Sequence, residues 1–154
     1  ALDDYVVWRD LLTRLQDPKF AGRSLAALYL DQSFVAGIGN YLRSEILFNA
    51  GLNPFDRPKD LSRRQLGVLA RNTLALTRQA YATSGVTNTA ARVKRLQAMG
   101  LSRRRYRHLV FDRQNEDCYH CGGTVERIEV SGRRIYVCYA CQPSARAAIT
   151  KAEP

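Results

Sequence analysis

Leu30–Pro54 reads LDQSFVAGIGNYLRSEILFNAGLNP, and the centre of this stretch decides the fold. Gly37 and Gly39 bracket Ile38, and Asn40 follows at the mouth of an apolar run. A turn needs one glycine and a helix start needs one polar residue, so three such residues together imply close approach to the backbone. The spacing predicts a turn from Asp31 to Gly39 and a helix from about Asn40 to Asn49. Gly51 ends that helix, and Pro54 lies shortly beyond it. Tyr41, Leu42, Ile46, Leu47 and Phe48 point to more than one side, so the helix belongs at the centre. Its first N–H groups have no intrahelical partners and sit at the positive end of the dipole, which suits an anion. A plain capped helix, with Asn40 bonding its own backbone, remains the alternative at this point.

Working outward, Asp3 and Asp4 are candidate caps for a first helix with Tyr5, Trp8, Leu12 and Leu15 on one face, ended by Asp17-Pro18. Ser24 is a candidate cap for a short second helix over LAALYL. Ser62 begins a long one with Leu66, Leu69, Ala70, Thr73, Leu76 and Ala80 inward, stopped by Gly85. These four helices form a first unit, residues 1–85. Residues 86–108 form a basic connection, read as loop with a short helix around Ala91 to Met99. TVERIEV alternates as a strand, Ser131-Gly132 turns, and RRIYV returns. Residues 109–142 are thus a hairpin unit, and 143–154 offer no packing face and are read as a flexible tail. The fold class is mainly α, closed by a small β-hairpin.

The chain has 154 residues, a net charge of +10 and a pI near 9.9, which favour a polyanionic partner. No apolar run is long enough to span a membrane. The four cysteines, Cys118, Cys121, Cys138 and Cys141, read C-x2-C-x16-C-x2-C. Two tight turns at the outer ends of a hairpin bring four thiolates to one zinc ion, and a closed four-thiolate site is structural. Two disulfides are the competing reading. Arg133 and Arg134 follow the hairpin turn, and an arginine there offers a planar fork of donors to phosphate. The run Arg103, Arg104, Arg105 and Arg107, with Lys94 and Arg95, is a less specific basic cluster. Glu45 lacks a paired acid or base in sequence and is read as a structural hydrogen-bonding group.

Leu30–Pro54 resembles the helix–two-turn–helix motif of the formamidopyrimidine-DNA glycosylase and endonuclease VIII family. VFDRQNEDCYHCGGTVERIEVSGRRIYVCYACQ, Val110–Gln142, resembles the zinc finger that closes those proteins, and the endonuclease VIII branch is the nearer. The resemblance implies that Asn40, beside Gly37 and Gly39, binds DNA phosphate. It also implies that an arginine five residues before the third cysteine, Arg133, enters the DNA site, with Arg134 as the neighbour one register step away. It implies a bacterial, cytoplasmic, nucleoid-associated monomer that binds duplex, damaged DNA in base-excision repair of oxidised bases. The family's bifunctional glycosylase and abasic-site lyase chemistry uses an amino-terminal proline with a glutamate beside it, whereas this sequence starts Ala1-Leu2-Asp3. The expectation is therefore a DNA-binding part without catalysis of its own. The alternatives are a stand-alone zinc-containing DNA-binding module or an RNA-binding one.

Overall fold

The computed structural model describes residues 4–145, with side chains from Trp8 onward. Asp3 and the side chains of Asp4 and Tyr5 lie outside that description, as do residues 146–154.

Among the described residues there are seven α-helices and one two-stranded sheet. Helix α1, Asp4–Gln16, stops before Asp17, whose carboxylate caps the four-residue α2, Pro18–Ala21, at Lys19 N, 2.9 Å. That short helix was not expected. A proline is tolerated at the first helical position, so Asp17-Pro18 begins a helix as well as ending one. Ser24 caps α3, Leu25–Leu28, which is shorter than the LAALYL run because Tyr29 already leaves the helix. The turn that follows is knotted by Asp31, which accepts from Ser33 N (2.8 Å), Ser33 Oγ (2.6 Å) and Arg23 (2.7 Å).

Helix α4, Asn40–Ala50, is the spine, with Leu42 through Leu47 all buried. Gly51 closes it at φ 71°, the left-handed cap that favours glycine. A turn of 3-10 helix, Pro58–Asp60, leads to α5, Arg63–Ala82, where Ser62 and Gln65 cap each other reciprocally. The six expected inward residues of α5 are buried, joined by Leu74. No helix among the described residues is long and apolar enough to cross a membrane.

The connection is more ordered than the sequence suggests. It holds α6, Ala90–Ala98, capped by Thr89, and α7, Arg103–Tyr106. Strands β1, Glu126–Val130, and β2, Arg133–Val137, pair antiparallel, with Val130 opposite Arg133 and Glu129 opposite Arg134. Ser131 and Gly132 both take positive φ, as a two-residue hairpin turn of that twist requires.

The hairpin lies on α4 rather than beside it. Ile135 joins the helical core, while Val110, Val125 and Tyr136 form a second cluster with Cys118 and Cys138. Ser44 Oγ accepts from Tyr136 N at 3.0 Å. Gln142, fully buried, accepts from Cys138 N at 2.9 Å and donates to Leu52 O at 3.0 Å. Just beyond, Ser144 Oγ and Ala145 N donate to the Asp56 carboxylate at 2.9 and 2.8 Å. The start of the segment read as tail is therefore tied down, because a buried carboxylate requires donors.

Candidate nucleic-acid interface and metal centre

Asn40 is the first residue of α4, and Gly39 occupies the cap position without any side-chain cap. The expected alternative, Asn40 capping its own helix, does not occur. Both residues are exposed. Gly37 has φ 85°, which favours glycine, but Gly39 has φ −89° and ψ 179°, open to any residue. A Cβ at either position would meet nothing within 4 Å. Nothing inside the protein thus requires Gly39 to lack a side chain, and its absence leaves the helix mouth open outward.

The hairpin tip faces that mouth. Leu30, Gln32, Gly39, Asn40, Ser131 and Arg133 line one polar cleft of about 380 Å³. Two residues predicted on separate elements are therefore brought together. Arg134 stands opposite Glu129 in the strand register and does not line the cleft.

Arg43 is the residue that sequence reasoning missed. It is fully buried in the middle of α4, and its guanidinium donates to Ala26 O at 2.9 Å and to Arg134 O at 3.0 Å. Burial, and then the charge of Arg133, lower its pKa to about 10, so it stays charged at neutral pH. A buried cation thus ties the hairpin tip to the spine and adds positive charge behind the cleft.

Glu45, two residues on, joins the spine to the root of the cysteine hairpin. Its fully buried carboxylate accepts from the Thr87 hydroxyl, and from the backbone N–H of Leu109 (2.5 Å), Val110 (2.8 Å) and Phe111 (3.1 Å). Burial pushes its pKa up, and these four donors pull it back. His108 Nδ1 lies 2.9 Å from Thr87 Oγ1 and 3.6 Å from the Glu45 carboxylate. Burial, helped by Arg107 and Arg103, lowers the His108 pKa to about 3, so the ring is neutral. The structural role expected of Glu45 is what the geometry gives it.

The four cysteine Sγ atoms lie within 4.8 Å of one another, with Cys118–Cys141 at 3.8 Å and Cys121–Cys138 at 3.5 Å. All four are free, and these separations are far from a disulfide bond of about 2.05 Å. A tetrahedral ion with bonds of about 2.3 Å sets its sulfurs roughly 3.8 Å apart, so the cluster fits a four-thiolate metal centre. Backbone N–H groups of His120 and Gly123 point at Cys118 Sγ and Cys121 Sγ, 3.4 and 3.3 Å away, and the Gly123 N–H lowers the Cys121 pKa to about 7. The guanidinium groups of Arg113 and Arg92 both lie over the ring of Tyr119, next in sequence to Cys118, at 3.6 and 4.7 Å from its centre.

The expected basic run is largely engaged. Arg103 donates to Ser84 O at 2.6 Å, Arg104 lies 3.5 Å from Asp112, and Arg105 lies 3.9 Å from Glu116.

A helix–two-turn–helix unit with a hairpin stapled by four cysteines defines a class of DNA-repair fold, and comparison with known proteins places the chain in it. The family model described as the formamidopyrimidine-DNA glycosylase H2TH domain matches residues 10–91. An Endonuclease 8 of Escherichia coli is 41% identical over 129 residues, which are 84% of this chain and 46% of that protein. The crystal structure of MutM (Fpg) from Thermus thermophilus has 30% identity and a TM-score of 0.67, covering 92% of this chain and 50% of that one. Lactococcus lactis Fpg in complex with abasic-site DNA has 22% identity and a TM-score of 0.65, over 92% of this chain and 48% of that one, and so shares the fold. The chain belongs to the formamidopyrimidine-DNA glycosylase and endonuclease VIII family, nearer to endonuclease VIII. It spans about half the length of the curated relatives it matches, 46% of the first.

Proposed function

We propose that this chain binds duplex DNA by gripping the phosphate backbone between the mouth of α4 and the tip of the hairpin. Gly37 and Gly39 allow close approach, Asn40 supplies a neutral donor, and Arg133 supplies a charged fork. Arg134 adds charge beside it. One structural zinc ion, held by Cys118, Cys121, Cys138 and Cys141, keeps the hairpin rigid. In this reading the chain is the DNA-binding half of a base-excision glycosylase and abasic-site lyase acting on oxidised bases, and it engages damaged duplexes as a monomer. The observation that carries it is the single cleft shared by Gly39, Asn40, Ser131 and Arg133. The relatives lend support, since the solved neighbours include Lactococcus lactis Fpg with DNA containing an abasic site and with Fapy-dG-containing DNA.

A salt titration of duplex affinity tests the grip. Arg133→Ala removes a charge, so it weakens binding and makes the slope of log affinity against log salt shallower by about 0.9. Asn40→Ala weakens binding by about 1 kcal/mol with little change of slope. If Arg133→Ala leaves both affinity and slope untouched while the metal site is intact, the grip is wrong. Metal analysis of the purified protein is expected to return about one zinc per chain, and two disulfides without metal would remove the staple from the reading.

A further inference from the structure

The turn at the mouth of α4 has a second side. Gly39 and Asn40 line the cleft toward the hairpin, whereas Gly37 lines a different cavity, of about 330 Å³, on the flank facing α5. That cavity is walled by Tyr41, Ser84, Gly85 and Arg107, with Tyr81 at its rim.

Its side chains are arranged for an anion. Arg107 meets no carboxylate among the described residues; its Nε donates to Gly85 O at 3.3 Å and its guanidinium lies 5.9 Å from the centre of the Tyr41 ring. Those contacts hold the head in place and leave its other donors to the cavity. Ser84 and Gly85 pass through positive φ, 55° and 103°. A Cβ on Gly85 would come within 2.8 Å of Arg107 Nη2, so glycine is what lets the guanidinium lie against the turn. Ser84 and Tyr41 line the same cavity and each carries a hydroxyl, that of Tyr41 lying 3.9 Å from where a Gly85 Cβ would sit. Tyr81 is left 92% exposed beside this charge, and an exposed tyrosine next to an arginine is the composition of an interaction surface.

We infer that this cavity binds a second phosphodiester of the same DNA strand, with Arg107 as its charged donor and Tyr41 and Ser84 as neutral ones. The inference rests on the DNA-binding reading above and extends it. Gly37 and Asn40 are three residues apart and so at most about 10 Å. Successive nucleotides of one strand rise about 3.4 Å along the axis, so the two anion positions fall within about three nucleotide steps. The glycine turn then sits between two phosphates of one strand, and the open face of Tyr81 is placed against the sugars beyond. This accounts for Gly37 and Gly39 together, one for each flank.

Duplexes carrying a single neutral methylphosphonate at successive positions supply the test. Wild type is expected to lose affinity several-fold at two positions on one strand, within three steps of each other. Arg107→Gln becomes insensitive to one of those positions, keeps its sensitivity to the other, binds about tenfold more weakly and has a salt slope shallower by about 0.9. Arg107→Lys restores the slope. Tyr41→Phe, which keeps the ring packed 4.9 Å from His108, loses affinity in the same direction with no change of slope, and so reports on the site if Arg107→Gln disturbs the fold. Wild-type affinity, slope and methylphosphonate profile in both Arg107→Gln and Tyr41→Phe would overturn the second site while Arg133→Ala still upholds the first. Loss of effect in Arg133→Ala and Asn40→Ala as well would overturn the grip itself.

Discussion

Replacing Glu45 by glutamine probes the joint between the helices and the metal hairpin. The carboxylate serves two donors on each oxygen: the Thr87 hydroxyl and Leu109 N on one, Val110 N and Phe111 N on the other. An amide can match only one side. Turned with its oxygen toward Val110 and Phe111, it presents NH2 to Thr87, whose hydroxyl can accept instead, and to Leu109 N, which cannot. One orphaned buried N–H costs about 1–3 kcal/mol, and the loss of charge on the remaining bonds adds to this, so about 2 kcal/mol is expected. With a urea dependence of about 2 kcal/mol per molar, the midpoint falls by about 1 M. Glu45→Ala orphans all four donors and should cost about 5 kcal/mol, enough to threaten a domain of ordinary stability. Trp8, the only tryptophan, reports the helical unit, and cobalt substituted for zinc reports the thiolates through its absorption. In wild type the two signals should be lost together. In Glu45→Gln the cobalt signal should fail at lower urea than the tryptophan signal, because the joint is what makes the two units one. Coincident transitions with a midpoint within about 0.3 M of wild type would refute this account of Glu45.

Arg43→Met should cost no more than about 2 kcal/mol in urea melts, since a buried cation that meets no carboxylate among the described residues is exchanged for apolar packing. It should nonetheless lower duplex affinity several-fold, because Arg134 O loses its tie to α4; unchanged affinity would separate that tie from binding. His108 is held neutral, with its pKa lowered from 6.5 to about 3, so the native state resists a proton that the unfolded chain accepts. Stability is then complete above pH 6.5 and falls as pH drops toward 3, by about 1.4 kcal/mol per unit, against the opposing pull of Glu45 at 3.6 Å. His108→Gln should flatten that slope between pH 6.5 and 5, read by urea melts at each pH. Chelation of the metal should broaden the amide spectrum of residues 109–142 while α4 and α5 keep their helical signal, and global unfolding would contradict the helical unit's separate core.

The sequence discloses what is local. Ser24 and Ser62 are caps followed by helical periodicity, and each begins a helix as read. The return strand RRIYV is found residue for residue as β2, because Ser131-Gly132 fixes the turn and the cysteine pairs fix its ends. Partnerships over long separations leave no such mark. Arg43 in an apolar run reads as a side chain reaching for water, and only the carbonyls of Ala26 and Arg134, 17 and 91 residues away, make its burial tolerable. Thr87 and His108 lie 42 and 63 residues from Glu45, so no local pattern announces the cluster that they form with it. Helix α7, Arg103–Tyr106, is a run of arginines without an apolar stripe, so periodicity could not reveal it.

Helix α4 carries the cleft residue Asn40 and, within its next five residues, the three anchors Arg43, Ser44 and Glu45 that seat the hairpin. Each residue advances a helix by 100° and 1.5 Å. Inserting or deleting a single residue between Asn40 and Arg43 would swing the asparagine a quarter-turn or more away from the hairpin tip, with no loss of helix propensity. A change of length is better accommodated in the turn between α6 and α7, residues 99–102, which carries none of the side chains that seat the hairpin or line the two cavities. Orthologues should vary in length there and hold α4 to the residue.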